Sequence, residues 1–330
     1  MSKPLQKRVW IAWETQRRSI ELSRALNCKL FIIELDGPLR YPMSILKTLF
    51  HFFVEKPGII FVQNPSMILA AIACVYCKVE GLPLVVDRHS TFQLDNPISN
   101  FWKRHFFFLL HKFTIQNACL TIVTNEHLAE LVKTAKGTPF VLPDPLPAMT
   151  PTCKKTLKGQ TSILVPSSFR WDEPIDQIVE AAVLLMEKGI YFYFTGNYRK
   201  HSADFVEKVP ANVVVTGFVP DQEYIDLLYS VDAVMTLTKA TSCMLCGCYE
   251  AVSAGKPLIT SDKPALRQYF YDAVFVDNSV QSVVQACLEI ADRGEIYRER
   301  TRRMKEEIFL KWGALFQELD ERVNKMGAAP

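Results

Sequence analysis

The sequence predicts an α/β protein made of two Rossmann-like domains that face one another across a cleft. Three observations carry that prediction. Short runs rich in Ile, Val and Phe alternate with helical segments through the first half of the chain. Pro143-Asp144-Pro145-Leu146-Pro147 then stops the alternation, and residues 149–160 are polar and short of large apolar groups, which marks a linker. Beyond it the same alternation restarts. A chain of 330 residues is too long for most single cores and comfortable for two.

In order, the first half places strands at 8–13, 29–34, 58–62, 83–87, 119–123 and 138–142. Helices fit between them near 18–26, 43–55, 66–79, 99–115 and 126–135. The strands are short, apolar and rich in Ile, Val and Phe, which indicates a parallel sheet covered on both faces. The second half repeats this with strands at 162–166, 191–195, 212–216, 233–237, 257–260 and 273–276. Helices fit 173–188, 222–230, 246–254 and 280–293, with Asp172 and Asp221 as N-caps and Gly189, Gly255 and Gly294 as C-terminal stops. Residues 295–323 form a long charged helix. The expected plan is a first domain over 1–150, a second over 151–300, and a C-terminal helix over 301–330 that crosses back towards the first.

Composition narrows the functional classes. The net charge of +3 is unevenly spread: residues 1–150 carry 17 Lys and Arg against 11 Asp and Glu, and residues 151–330 carry 21 against 24. The first half is therefore suited to an anionic partner, while the lack of any polybasic run argues against nucleic acid. Nine irregularly spaced cysteines read as reduced cytosolic thiols. The apolar run at residues 9–13 is too short for a signal peptide. The longest apolar stretch, 65–77, falls short of the ~20 residues a bilayer-spanning helix needs. The expectation is a cytoplasmic protein that can sit on the cytoplasmic face of a membrane.

Ligands of parallel α/β sheets collect at the carboxyl ends of strands, and polar motifs stand there in both halves. In the first half these are Gln63-Asn64-Pro65 and Asp87-Arg88-His89-Ser90, with Arg17 and Arg18 opening the first helix. In the second they lie in Thr238 to Glu250, where a buried strand leads into a helix whose free N–H groups favour a phosphate. Gly247 lets the backbone approach a ligand, and Glu250 can accept hydrogen bonds from ribose or sugar hydroxyls. A helix that merely packs, with a solvated Glu250, is the alternative. No Gly-x-Gly-x-x-Gly follows the first strand, where Trp13-Glu14-Thr15-Gln16-Arg17-Arg18 stands, so a dinucleotide oxidoreductase loses its main support. No Gly-Lys-Ser/Thr phosphate loop exists either. Cys243, Cys246 and Cys248 could supply three thiolates to a metal, but without a fourth ligand they read as small apolar fillers, and no metal is expected.

Thr216-Gly217-Phe218-Val219, Tyr224 to Tyr229, Val231-Asp232-Ala233-Val234, Glu250-Ala251 and Ala254-Gly255-Lys256-Pro257 resemble the donor domain of GT-B glycosyltransferases of the family 4 type. The first-half motifs, with Ser167-Ser168-Phe169-Arg170-Trp171-Asp172-Glu173, are most similar to the beta-mannosyltransferase acting on chitobiosyl-diphospho-dolichol and its bacterial relatives. The resemblance implies the GT-B fold and transfer of a sugar from a UDP- or GDP-linked donor, with no separate cofactor. It places the nucleotide base by Gly217, Phe218 and Val219 and the ribose at Glu250. Ser242 stands where many members carry a further Glu, and Arg170 is the only cation where they carry an Arg/Lys pair. Ser168, Arg170 and the helix start near Cys243 are therefore assigned to the diphosphate, with Asn197 and Lys200 as weaker candidates.

Glycosyl transfer needs a base for the acceptor hydroxyl and charge stabilisation for the departing diphosphate. Asp87 and His89 are both expected at the catalytic position, either one able to serve as the base, with Asp95 as a second choice; structural roles are the alternative for each. Arg17, Arg18 and Asn64 are expected to bind the acceptor or a phosphate. The loss of the Glu at Ser242 leans towards inversion. Two first-half helices, 41–54 with Ile45, Leu46, Leu49, Phe50, Phe52 and Phe53, and 99–113 with Phe101, Trp102, Phe106, Phe107, Phe108, Leu109, Leu110 and Phe113 beside Lys103, Arg104 and Lys112, are unusually apolar. They suit an anionic membrane surface and a lipid-diphosphate-linked saccharide acceptor in polysaccharide or glycoconjugate biosynthesis; packing against the sheet is the alternative. A catalytically inactive binding subunit of the same fold, and a sugar-nucleotide epimerase, are the competing functions.

Overall fold

The structure is a computed structural model that describes residues 6–64, 66–89 and 101–328, without the side chains of 101–104 and 328. Two compact units divide the chain: Met1–Asp144 with Trp312–Pro330, and Pro145–Lys311. The boundary thus falls at Asp144 rather than at 150, and the C-terminal segment that joins the first unit begins at Trp312.

The first unit is built from β1 (Arg8–Ala12), α1 (Arg17–Ala25), β2 (Lys29–Ile32), α2 (Arg40–Glu55), β3 (Ile59–Asn64) and α3 (Met67–Glu80). It continues with β4 (Leu84–Arg88), α4 (Phe101–Asn117), β5 (Leu120–Val123), α5 (Glu126–Thr134) and β6 (Pro139–Val141). Its six parallel strands lie in the order β2-β1-β3-β4-β5-β6. β3 and β4 are buried along their whole length: each opens on an apolar run, Ile59–Val62 and Leu84–Val86, and ends on buried polar residues, Gln63-Asn64 and Asp87-Arg88. One face of the sheet packs Val9, Ile11, Ile60, Val62, Leu84 and Val86 against α3. The other packs Trp10, Phe61, Val85 and Ile122 against α1 and against Leu319 and Val323 of the C-terminal segment. Arg8 anchors that segment by donating to Asp320 and Asn324, each at 2.8 Å.

The second unit comprises β7 (Thr161–Pro166), α6 (Ile175–Leu184), β8 (Ile190–Thr195), α7 (Phe205–Lys208), β9 (Val213–Gly217) and α8 (Asp221–Ser230). β10 (Ala233–Thr236), α9 (Cys246–Ser253), β11 (Leu258–Ser261), α10 (Pro264–Tyr269), β12 (Val274–Val276) and α11 (Val280–Ala328) complete it, α11 running on into the residues of the first unit. The strand order is β9-β8-β7-β10-β11-β12, again all parallel. All twelve strands read from the sequence are present, and each lies within two residues of its expected ends.

Some local expectations fail. α6 and α8 begin after Pro174 and Pro220, which carry no side-chain cap, so Asp172 and Asp221 are not N-caps. A proline pre-sets the entry to a helix, and Asp221 instead sits in the first turn, where the helix dipole favours it. Gly189 and Gly255 do end helices, in the left-handed region at φ 67° and 65°. Gly294 follows such an end too: the backbone leaves helical geometry at Arg293 (φ −123°, ψ 22°), and α11 is two helices joined across that kink.

The strand order reverses between β1 and β3 in the first unit and between β7 and β10 in the second. Those reversals are where open α/β sheets leave a crevice for ligands.

Candidate active site

In the second unit a pocket of about 480 Å³ opens at the β7/β10 reversal. Its wall is assembled from the exits of several strands. Pro166 to Ser168 leave β7, Thr195 and Gly196 leave β8, and Thr236 and Leu237 leave β10. Phe218, Val219 and Tyr224 come from the β9–α8 turn and from α8, and Cys243 to Gly247 lead into α9. α9 has no side-chain cap from Leu245 and no acidic residue in its first turn, and its positive end lies at the pocket. Gly247 makes this approach possible, since a Cβ there would stand 3.0 Å from Pro166 Cγ and 3.3 Å from Thr236.

Ser168, Arg170, Phe218, Val219, Cys243 and Glu250 all line the pocket. Asn197, Gly217 and Ser242 do not. Asn197 is exposed, Ser242 is buried, and Gly217 acts from behind: its left-handed φ of 72° turns the chain so that Phe218 projects, 83% exposed, at the rim. Lys200 sits exposed in a short turn outside the pocket. Glu250 receives a 2.5 Å hydrogen bond from the Tyr224 hydroxyl, which fixes the carboxylate at the wall. Lys256 of the Ala-Gly-Lys-Pro motif has no ligand role here. Its Nζ donates to the carbonyls of Tyr229 and Val231 at 2.7 and 2.6 Å, tying off the end of α8, and burial pulls its pKa down to about 8.

The three cysteines differ in their surroundings. Cys248 is buried with its Sγ 3.4 Å from Thr260 Oγ1, while Cys246 is exposed. Among the described residues no group of His, Cys, Asp and Glu could hold a metal ion.

In the first unit the register pairs Gln63 with Asp87 and Asn64 with Arg88, so the two motifs are neighbours on β3 and β4. Side chains alternate across the sheet, and each pair serves a different face. On one face Arg18 donates through Nε to both Asp87 oxygens at 2.9 and 3.1 Å, through Nη1 to Asp144 at 2.6 Å, and through Nη2 to the Leu142 carbonyl at 2.9 Å. Burial alone would raise Asp87, but the Arg18 charge, with His89 nearby, outweighs it and holds the carboxyl below its ordinary range. Burial likewise disfavours charge on Arg18, and Asp87 and Asp144 reverse that, raising its pKa further.

Two expectations change accordingly. Arg18 cannot grip an acceptor phosphate, because its guanidinium is buried and consumed by two carboxylates and a carbonyl. Asp87, only 1% exposed and bound bidentately, is not the proton-accepting group. His89 is more accessible, its side chain 17% exposed with Nδ1 3.5 Å from Asp87 Oδ2. Arg17 is exposed at the start of α1, 3.8 Å from Glu21.

On the other face Arg88 is 3% exposed and meets no carboxylate among the described residues. Its Nη1 lies 2.6 Å from His111 Nδ1 and its Nη2 donates to Thr114 at 3.1 Å, while its Nε and the Asn64 Nδ2 find no partner among those residues. Burial lowers Arg88 to about 10, and burial ahead of the Arg88 charge lowers His111 to about 4. The His111 ring is therefore neutral, with Nδ1 as the acceptor. In the sequence Arg88 and Asp144 stand only as members of their motifs and His111 is not singled out, because nothing in their spacing signals a contact. Pro65, Ser90, Asp95 and the side chains of Phe101, Trp102, Lys103 and Arg104 lie outside the described residues.

α2 carries its apolar residues mostly outward: Leu46, Leu49, Phe50 and Phe53 are exposed, Ile45 is half-buried and Phe52 is buried. On α4, Phe106, Phe108 and Leu109 are exposed, while Phe107, Leu110 and Phe113 are half-buried. No helix among the described residues is long and apolar enough to cross a membrane.

No protein-family model matches the chain, and no curated protein matches it. Solved structures do match its fold. Sucrose-phosphate synthase from Thermosynechococcus elongatus superposes with a TM-score of 0.78 at 12% identity, over 98% of this chain and 100% of that one. Anabaena HepE in complex with UDP-glucose gives 0.72 at 11% identity, over 97% and 100%. A UDP-N-acetylglucosamine 2-epimerase assigned to Listeria monocytogenes gives 0.61 at 12% identity, over 89% and 90%. The fold is that of the GT-B glycosyltransferases. The structural neighbours include glycosyltransferases that bind UDP and UDP-glucose.

Proposed function

We propose that this chain is a glycosyltransferase that takes a sugar from a nucleotide diphosphate donor and passes it to a saccharide acceptor carried on a lipid diphosphate. The observation that carries the reading is the 480 Å³ pocket, where Glu250, Arg170, Ser168 and the start of α9 meet at a strand-order reversal. Glu250, held by Tyr224, accepts the ribose hydroxyls. Phe218 and Val219 border the base. Arg170 and the N–H groups of α9 stabilise the charge that gathers on the diphosphate as the anomeric C–O bond breaks. His89, steered by Asp87, takes the proton as the acceptor oxygen bonds to the anomeric carbon.

The outward apolar faces of α2 and α4, with exposed Lys47 and Lys112 among them, support peripheral membrane attachment. The acceptor's lipid would then stay in the bilayer while its saccharide reaches the protein. Flotation with anionic vesicles measures this, and Phe50→Ser with Phe53→Ser should abolish it.

The donor assignment is tested by thermal shift with UDP, GDP and ADP at millimolar concentration. A rise in melting temperature with at least one, lost in Glu250→Ala, is expected; no shift with any of the three would overturn the reading. The shared fold of the Listeria epimerase supports one rival. Incubation with the sugar nucleotide alone separates the two, since an epimerase would yield the inverted sugar nucleotide without any acceptor.

A further inference from the structure

The loop that leaves β7 runs Ser167-Ser168-Phe169-Arg170-Trp171-Asp172-Glu173, and its backbone is shaped like a receptor for an anion. Phe169 is held in the left-handed region at φ 53°. That conformation turns successive N–H groups to one side, the arrangement that binds phosphates in many loops. The side already holds an anion. The Glu173 carboxylate accepts hydrogen bonds from the hydroxyls of Ser167 and Ser168, from the Ser168 N–H at 3.1 Å and from the Phe169 N–H at 3.3 Å. The loop cannot easily recede, because Gly196 (φ 111°) passes so close that a Cβ there would fall 1.9 Å from the Ser167 carbonyl oxygen.

Charge bears on the same point. Among the described lining residues the carboxylates of Asp172, Glu173, Asp221 and Glu250 stand against one cation, Arg170. A diphosphate would enter a pocket whose own acid already occupies the best cluster of donors.

We propose that Glu173 is a built-in anion that fills the phosphate-accepting loop of the empty pocket, and that a donor's diphosphate displaces it on binding. This rests on the nucleotide-sugar reading above. Glu173 keeps the two serine hydroxyls and two N–H groups satisfied when no donor is present. It also raises the threshold for entry. A ligand with two phosphates, engaging the loop and the α9 N-terminus together, overcomes the competition; a monophosphate or a free phosphate does not. Glu173 is thus a determinant of affinity and of selectivity for diphosphates.

The test is calorimetric titration of wild type, Glu173→Gln and Glu173→Asp with UDP, UMP and inorganic pyrophosphate, or with GDP and GMP where the donor screen points to guanosine. The Gln variant, relieved of the competing charge, should bind the nucleoside diphosphate roughly tenfold more tightly, a change of about 1.4 kcal/mol. It should also gain measurable affinity for pyrophosphate, and its ligand-free melting temperature should fall. The Asp variant keeps the charge but is one methylene shorter and reaches the loop poorly. Its affinity should lie between the other two, and it supplies the readout if the Gln variant does not fold. Equal or weaker diphosphate binding by the variants would overturn the proposal and leave Glu173 as a simple brace of the loop. If neither wild type nor variants bind any nucleoside diphosphate, the donor reading falls and this inference falls with it.

Discussion

The two units share a layout and treat their strand-end charges in opposite ways. In the first, Arg18 is buried between Asp87 and Asp144, which it pairs with, and Arg88 is buried against a neutral histidine. In the second, Arg170 and Glu250 face a pocket of about 480 Å³. The same place in a doubly wound sheet can therefore be spent on stability or left open for a ligand, and side-chain partners decide which. A polar motif at a strand end identifies the place without identifying the use.

The comparison breaks most readily at the two arginines. Removing one partner of a buried ion pair costs about 3–5 kcal/mol, so Arg18→Met should lower the denaturation midpoint severely. Arg170→Met should leave stability within about 0.5 kcal/mol and weaken nucleoside diphosphate binding instead. A mild Arg18→Met would mean that the network is not structural.

Backbone room comes next. Gly196→Ala forces a methyl group against the Ser167 carbonyl at a φ that L-residues rarely adopt. A loss of at least about 2 kcal/mol is expected, read by urea unfolding. Glu250→Ala should reduce nucleoside diphosphate affinity by about 10- to 100-fold, the range for losing hydrogen bonds to a charged group, with stability little changed.

Acidification sharpens the contrast further. His111 is held neutral, its folded pKa pushed down to about 4 from an unfolded value near 6.5. Its contribution to stability is whole above about pH 6.5 and drains away as pH falls towards 4. Asp87 adds a second loss only below the ordinary carboxylate range, because its folded pKa is depressed. Urea midpoints at pH 7 and pH 4.5 should therefore differ less in His111→Gln than in wild type. The smallest effect belongs to Tyr224→Phe. Loss of its hydroxyl from Glu250 should weaken nucleotide binding by only a few-fold, about 0.5–1.5 kcal/mol, in the same titration.

Much of the architecture was legible beforehand because a strand buried on both faces is dominated by apolar residues, with polar ones gathered at its end. β3 and β4 are wholly buried, and they were read to within two residues. The pocket of the second unit was partly legible: Glu250, Arg170 and Ser168 were named, while Glu173 and Tyr224, which hold Ser168 and Glu250, were not given roles. Their partners sit across a turn or on another helix, so no local pattern connects them. α2 was read as too apolar for an ordinary surface helix, and its outward Phe50 and Phe53 fit that reading, with Phe52 turned inward.

The amino-acid order alone determined the two parallel sheets, the helices that cover them and the strand ends at which polar residues gather. Those features follow from local periodicity and from the rule that buried backbone must pair. Only the tertiary structure decided what each polar residue does. Arg18 is locked because Asp87 and Asp144, 69 and 126 residues further along, are folded onto it. Arg170 faces a pocket because the strand order reverses beside it. Both outcomes depend on distances between residues remote in sequence, and electrostatics in a low-dielectric interior is set by those distances rather than by residue type.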